Sequence, residues 1–123
     1  MRKATILVFV IALSSAAVFA QDELAQYQTW MKAGASANGA LKKAIAASDA
    51  AAITEQAGKA AEAFDSIATY WVEKKNDEAA KLAMTARDAA KAVVGGDNAA
   101  AAKIGGTCMG CHAITREGNK FKS

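Results

Sequence analysis

Two cysteines and a histidine stand together near the C-terminus of the chain, at Cys108, Cys111 and His112. They are the only cysteines and the only histidine among its 123 residues. On a helix, separations of three and four residues place side chains on one face. Two thiols at that spacing can each add to one vinyl group of a haem, and the histidine that follows can then ligate the iron through Nε2. The motif therefore predicts one covalently attached haem c, held through two thioethers.

Other uses of these three residues fit the sequence less well. Two cysteines cannot form a disulfide framework, and with one histidine they cannot supply the four ligands of a closed zinc site. A thioredoxin-like redox pair needs a βαβ setting, which this sequence does not offer. Because His112 is the only imidazole, the sixth position on an iron would be filled by methionine, lysine or a small exogenous molecule, or would stay open.

The first twenty residues have the three-part pattern of a secretory signal peptide. A positive start precedes an apolar run, Ala4–Leu13, and small residues end the segment at Ala20. We expect cleavage before Gln21, so that residues 1–20 are removed and residues 21–123 form one domain in the periplasm. The alternative is a membrane anchor, but an apolar run of about ten residues falls short of the roughly 20 needed to span a bilayer. We expect no membrane span in the mature chain.

Composition favours a small helical protein. The chain has 33 alanines and no proline. Alanine is the strongest helix former, and proline in a helix interior breaks or kinks the helix. The formal net charge is +3, of which Arg2 and Lys3 in the leader contribute two. No basic patch large enough for nucleic acid remains in the mature chain, so we expect no nucleic-acid partner.

Apolar residues recur at helical spacing along the mature chain. Two helices are expected first, one capped by Asp22 and a second capped by Ser48–Asp49. In each of them an inward stripe repeats every three or four residues. The first stripe contains Leu24, Tyr27, Met31, Gly34, Asn38, Leu41 and Ile45. The second contains Ile53, Ala57, Ala60, Phe64, Ile67 and Trp71.

Turn and capping residues bound two further helices. The polar run Glu73–Asp77 predicts a turn, and its Asn76 or Asp77 would cap the third helix. Gly95 and Gly96 would end that helix, because glycine adopts the left-handed C-terminal conformation at little cost. Asp97 would cap a fourth helix reaching about Thr115, followed by a polar tail. The inward face of the third helix is expected to contain Leu82, Ala86, Ala89 and Val93.

Four helices with short connections and no period-2 segment predict an all-α fold. The arrangement expected is an antiparallel up-down-up-down four-helix bundle with covalently bound haem. Because alanine occupies many inward positions, the core buries little apolar surface. The free energy gained by that burial looks marginal against the conformational entropy that the chain loses on folding. A large apolar cofactor would complete the core.

Three stretches of the chain carry a resemblance to a known family. They are the motif Cys108–His112 followed by Arg116, the first-helix run Tyr27–Lys32 leading to Asn38–Leu41, and Trp71. Together they resemble the class II cytochromes c, the cytochrome c′ family of four-helix haem bundles. The likeness covers the whole mature chain in helix order, and only the haem motif is specific.

The resemblance implies roles for four residues near the C-terminus. Cys108 and Cys111 would be the thioether attachments and His112 the fifth ligand. Arg116 matches the family's basic residue beside that histidine. An arginine near a helix C-terminus also has a purely structural use, as a partner of the helix dipole.

Family members differ on the opposite side of the haem. In some, a first-helix methionine coordinates the iron and the protein is a low-spin electron carrier. In many, an apolar residue leaves five-coordinate iron that binds nitric oxide or carbon monoxide. Counting back eight residues from Gly39, as in the family's pattern, leads to Met31, which also lies on the inward stripe. We expect Met31 to be the sixth ligand, with Met84 and Met109 as alternatives.

The chain departs from the family's pattern at three places. Gln28 stands where the family usually has a basic residue near the haem propionates. The link between the second and third helices is shortened to Val72–Asp77, and Thr115 replaces an aromatic residue. These differences concern the propionate surroundings and any dimer contact, and we expect either a monomer or a homodimer.

These features predict a periplasmic c-type cytochrome that exchanges single electrons with redox partner proteins. A second interpretation is a five-coordinate cytochrome c′-like protein that binds nitric oxide or carbon monoxide. We do not expect an enzyme, because no acid–base pair or nucleophile constellation is visible. Weak peroxidase activity or nitric oxide removal is a third interpretation. Lys32, Lys42 and Lys43 would form either a docking patch for an acidic partner or only a solvated helix face.

Overall fold

The chain folds into four α-helices. The computed structural model describes the backbone of residues 2–117 and 120–121, and the side chains of residues 22–117. The helices are α1 (Arg2–Ala46), α2 (Ala50–Glu73), α3 (Asp77–Val94) and α4 (Ala101–Thr115), with a 3-10 turn, Asn98–Ala100, before α4. The predicted all-helical class is confirmed.

Local capping explains where α2 and α3 begin. The Asp49 carboxylate accepts a hydrogen bond from the Ala52 N–H at 3.1 Å, and the Asn76 side chain accepts one from the Ala79 N–H at 3.0 Å. Asp49 belongs to the predicted cap Ser48–Asp49, and Asn76 is one of the two residues predicted to cap α3. Each satisfies one of the amide donors that a helix N-terminus leaves unpaired. At the end of α3, Gly96 has a φ of 106°, a conformation that glycine adopts without a Cβ clash.

Two predicted caps are wrong. Asp22 lies inside α1, because the apolar, alanine-rich residues before it continue the helix and no proline or glycine stops it. Asp97 precedes the 3-10 turn but makes no capping hydrogen bond with its side chain. The predicted cleavage before Gln21 concerns residues 1–20, whose side chains lie outside the described part, and it stays a prediction.

The expected polar tail contains a short pairing that the sequence analysis did not predict. Two-residue strands, β1 (Arg116–Glu117) and β2 (Lys120–Phe121), pair in antiparallel fashion, with Arg116 opposite Phe121. Alternation over two residues is too short to give a period-2 signal.

Each helix packs against the next one along the chain, and α4 also touches α1. The α1–α4 contact is much smaller than the contacts of α1 with α2, α2 with α3, and α3 with α4. Every member of the predicted α2 stripe is buried, and Leu41, Ile67 and Ile104 are among the large side chains with almost no exposed surface. On α1, Leu24 is 36% exposed, so the predicted inward stripe begins one turn too early.

An aromatic cluster closes the core where α1, at Tyr27, meets the end of α2. The ring centroids of Tyr27 and Tyr70 lie 4.4 Å apart, and both rings contact Trp71, at 5.6 and 5.1 Å, edge to face. These are favourable aromatic geometries. The cluster anchors α1 four residues before Met31.

Candidate cofactor site

A small apolar cavity lies among all four helices, next to the cysteine–histidine motif. Its volume is about 20 Å³, which is room for about one water molecule. Aliphatic and aromatic side chains form most of its wall, and the motif forms the rest. Lining residues are Met31 from α1, Phe64 and Ile67 from α2, Leu82, Ala83 and Ala86 from α3, and Thr107, Cys108, Cys111 and His112 from α4.

The motif places its three side chains together at this cavity. Cys111 is buried, Cys108 and His112 are half-buried, and both cysteines are free thiols. The Nε2 atom of His112 is buried and has no hydrogen-bond partner among the described residues. An unpaired nitrogen in such a site is costly unless something else binds it. Among the residues that line this cavity, His112 is therefore the one with a buried side-chain nitrogen that lacks a hydrogen-bond partner.

Burial holds the motif in its neutral forms. It raises the pKa of the Cys108 thiol, an effect that the nearby Lys42 ammonium partly offsets. It raises the pKa of the Cys111 thiol as well, where a hydrogen bond with Thr115 acts in the opposite direction. Burial lowers the pKa of His112, and the positive charge of Arg116 lowers it further. At neutral pH the site thus holds two protonated thiols and a neutral imidazole, the form of histidine that binds metals.

The residues after the motif support its geometry. The buried Thr115 hydroxyl donates a hydrogen bond to the Cys111 carbonyl oxygen at 2.7 Å. This bond lies within the last turn of α4 and ties the Thr115 side chain to the backbone of the motif. Arg116, directly beyond the helix, is half-buried and acts electrostatically on His112.

The three candidate methionines occupy different environments. Met31 is half-buried and lines the cavity. Met84 is partly buried against the core but is not part of the cavity wall, and Met109 is 78% exposed. Of the three, only Met31 shares the cavity with His112.

Several residues at the site carried no signal of their own in the sequence. Phe64 and Leu82 were predicted to face inward, but nothing indicated that they line the space beside His112. Leu82 also packs against α4 at Gly110, where a Cβ would lie 3.7 Å from either of its methyl groups. The approach of Lys42 to Cys108 depends on how α1 and α4 cross, which periodicity does not report.

Larger grooves lie away from the motif. One of about 590 Å³ runs between α1 and α2 beside Trp30 and Lys59, and another of about 400 Å³ lies beside Trp30 and Tyr70. Neither is lined by a cysteine, a histidine or a methionine, so neither offers the ligand chemistry of the smaller cavity.

Comparisons with protein-family models, with curated proteins and with solved structures find no match for this chain. Within its described residues, no group of three or more His, Cys, Asp or Glu side chains is placed to hold a metal ion. Over residues 22–117, whose side chains the structure describes, no helix combines the length and the apolar character needed to cross a membrane.

Proposed function

We propose that this protein is a periplasmic c-type cytochrome of the class II type, which carries single electrons on one covalently attached haem. The observation that carries the proposal is the buried, unpartnered Nε2 of His112 in an apolar cavity that two free thiols and a methionine thioether also line. These four side chains supply the donors and attachment points that a c-type haem requires.

The side chains that line the cavity have the chemistry that a haem requires. The cavity itself is too small to contain one. Apolar walls from Phe64, Ile67 and Leu82 suit the faces of a macrocycle, and the neutral imidazole suits an iron. A cavity of about 20 Å³ cannot contain such a group. Loading would therefore have to open the fold, and the small α1–α4 contact is the interface that gives way at least cost.

Each residue has a separate task in this proposal. Cys108 and Cys111 would hold the group covalently, His112 would bind its iron through Nε2, and Met31 would bind the opposite side. The aliphatic wall would exclude water, and Arg116 would keep the imidazole neutral by its charge. Bound haem supplies a one-electron iron couple, and a thioether ligand raises the potential of that couple.

The proposed topology is the antiparallel up-down-up-down bundle of the cytochrome c′ family. Successive packing of α1 on α2, α2 on α3 and α3 on α4 supports it, as does the position of the motif in the last helix. The periplasmic location is part of the same proposal, as are the lysines of α1.

A second function is binding of nitric oxide or carbon monoxide. It is favoured by the position of Met31 on α1, whose contact with α4 is much smaller than that of α3, because a thioether there is easily displaced. In that case Met31 would only pack over an open coordination position.

An optical spectrum of the chain matured in a bacterial periplasm tests both proposals. It would be recorded oxidised, then reduced, then exposed to carbon monoxide. Sharp α and β bands on reduction, with a weak near-red iron–sulfur band when oxidised and no response to carbon monoxide, are expected for the electron carrier. Broad bands that shift with carbon monoxide would replace it with the gas-binding function, and a protein without covalent haem would refute both.

A further inference from the structure

The small cavity beside the motif is lined by side chains that are ligands of soft metal ions. Met31, Cys108 and His112 all line it, so a thioether, a thiol and an imidazole meet at one space of about 20 Å³. Cys108 and His112 are four residues apart on α4 and therefore lie on the same face of that helix. Thiolate and thioether ligands suit Cu(I), and imidazole suits copper as well. The three side chains together form a ligand set for Cu(I).

The size of the cavity matches a single ion. Its volume is that of about one water molecule, and an unhydrated Cu(I) ion is no larger. Phe64, Ile67 and Leu82 form apolar parts of the wall, which would keep water away from a bound ion. An ion can therefore bind to the closed fold, whereas a haem requires the helices to separate.

The imidazole provides an observation that is independent of the size of the cavity. The Nε2 atom of His112 is buried and has no hydrogen-bond partner among the described residues. A buried nitrogen of this kind is costly unless another group binds it. A metal ion bound at Nε2 would remove that cost without any rearrangement of the four helices.

Charge balance favours Cu(I) over a divalent ion. The residues that line the cavity include no Asp or Glu, so the thiolate of Cys108 would be the anion that meets the ion. One thiolate with Cu(I) leaves no net charge in the apolar cavity, whereas one thiolate with Zn²⁺ leaves a buried positive charge, which is costly. A second thiolate, from Cys111, would make the Cu(I) site negative, and the Cys111 thiol already has a hydrogen bond with Thr115.

We propose that the unloaded chain binds one Cu(I) ion through Sγ of Cys108, Nε2 of His112 and Sδ of Met31. Met31 completes the set, because the described Cys, His, Asp and Glu side chains alone provide no group of three placed to hold a metal ion. As the copper–sulfur bond forms, the S–H bond of Cys108 breaks and its proton passes to solvent water. Copper stays Cu(I) throughout, so no oxidant or reductant is consumed.

This copper site goes beyond the proposed electron-carrier function and does not depend on covalent attachment of haem. Because the same imidazole, thiol and thioether would serve either group, a chain that holds Cu(I) cannot hold haem at the same time. The copper site therefore belongs to the chain before loading.

The test uses the unloaded chain, purified from the periplasm of a bacterium that lacks the machinery for haem attachment. Cu(I), kept reduced under argon with ascorbate, is titrated into the chain in competition with the chromophoric chelator bicinchoninate. The expected result is one Cu(I) ion bound per chain. Nitrogen-15 nuclear magnetic resonance should show a shift of the Nε2 signal of His112, and X-ray absorption at the copper edge should show both sulfur and nitrogen donors.

Substitutions separate the proposed ligands from their neighbours. Cys108→Ser, His112→Phe and Met31→Leu should each weaken Cu(I) binding by about tenfold or more, because even a residue that only orients a metal ligand is worth that much. Met84→Leu is the matched control for Met31→Leu, and it should leave the affinity unchanged because Met84 is not part of the cavity wall. Circular dichroism of each variant without copper checks that its helices form, so an unfolded variant is not counted as a weakened one.

Several results would overturn the copper site. A chain that takes no Cu(I) from bicinchoninate would refute it outright. Equal losses of affinity in Cys108→Ser and Cys111→Ser, with none in Met31→Leu, would show a chelate of the two thiols alone. Undiminished affinity in urea would show that the fold plays no part, and Zn²⁺ binding as tight as Cu(I) binding would contradict the argument from charge.

Covalent haem is detected in a different preparation, the matured protein, by its optical spectrum. A matured protein without haem would refute the proposed function and leave the copper titration of the unloaded chain unaffected. Failure of the proposed function is therefore distinguishable from failure of the copper site.

Discussion

Met31 and His112 line the same small cavity, although they lie on the first and the last helix of the chain. The aromatic cluster around Tyr27 positions Met31 one turn further along α1, and the backbone N–H of Arg116, which bonds to the His112 carbonyl oxygen, fixes the end of α4 at His112. A thioether and an unpaired imidazole nitrogen thus meet across apolar walls. This relationship makes the predicted His/Met ligation directly testable.

Replacing Met31 should change the spin state of the loaded protein. Met31→Leu keeps the volume close to the original but removes the sulfur, so low-spin iron should become high-spin and should bind carbon monoxide. Absorption before and after carbon monoxide measures both changes. Met84→Leu is the matched control, because Met84 is not part of the cavity wall, and its spectrum should stay as in the unmodified protein. A spectrum that changes with Met84→Leu and not with Met31→Leu would identify Met84, on α3, as the sixth ligand.

Removing either thiol should weaken attachment. Cys108→Ala or Cys111→Ala leaves at most one thioether, so a smaller share of the chains should carry covalent haem that resists acidified organic solvent, and the folding yield should fall because the core is small. Mass spectrometry of the intact chain measures attachment, and thermal unfolding of loaded and unloaded protein measures the coupling. An unloaded chain as stable as the loaded one would contradict the idea that the cofactor completes the core.

Much of the fold could be predicted because its determinants are local. Asp49 and Asn76 bond to amides three residues ahead of them, so their capping roles are visible in a short stretch of sequence. The α2 stripe from Ile53 to Trp71 is buried as its spacing predicted. Asp22 failed as a cap because capping preference is overridden when good helix formers precede the residue.

The candidate site was predictable where its residues are adjacent in sequence, and beyond the motif the resemblance indicated Met31 alone. The motif brings together Cys108, Cys111 and His112 within two helical turns, whereas the position of Met84 outside the cavity depends on how α3 is rotated against α4. Leu24 shows the same limit, since its spacing is correct but no neighbouring helix covers it. Periodicity gives the inward face of a helix, and the extent of its partner decides how much of that face is buried.

Stability at alkaline pH should depend on Tyr27. Burial raises the pKa of Tyr27 to about 12, although a hydrogen bond with Trp71 acts in the opposite direction. In the unfolded chain a tyrosine loses its proton near pH 10. Between about pH 10 and 12 the unfolded state therefore binds fewer protons than the folded state, and the free energy of unfolding falls as pH rises. Below about pH 10 both states keep the proton and the contribution of Tyr27 is constant.

Urea unfolding of the unmodified protein and of Tyr27→Phe, at matched haem loading from pH 8 to 12, isolates this effect. The difference in the free energy of unfolding between the two proteins should be constant up to about pH 10 and should then shift in favour of Tyr27→Phe. A difference that stays constant to pH 12 would show that Tyr27 ionises as easily in the folded protein as in the unfolded one.

Two glycines in the helices should respond differently to alanine. A Cβ added at Gly58, in α2, would meet no atom within 4 Å, whereas one at Gly34, in α1, would lie 3.3 Å from the Phe64 ring and 3.6 Å from Ala63. Gly58→Ala should therefore stabilise the protein by about 0.5–1 kcal/mol, the helix-propensity difference. Gly34→Ala should gain less or lose stability, because Phe64 must move and it lines the cavity. Urea midpoints with unchanged m values measure both changes, and equal gains would mean that the α1–α2 packing has more room than the contact at Phe64 implies.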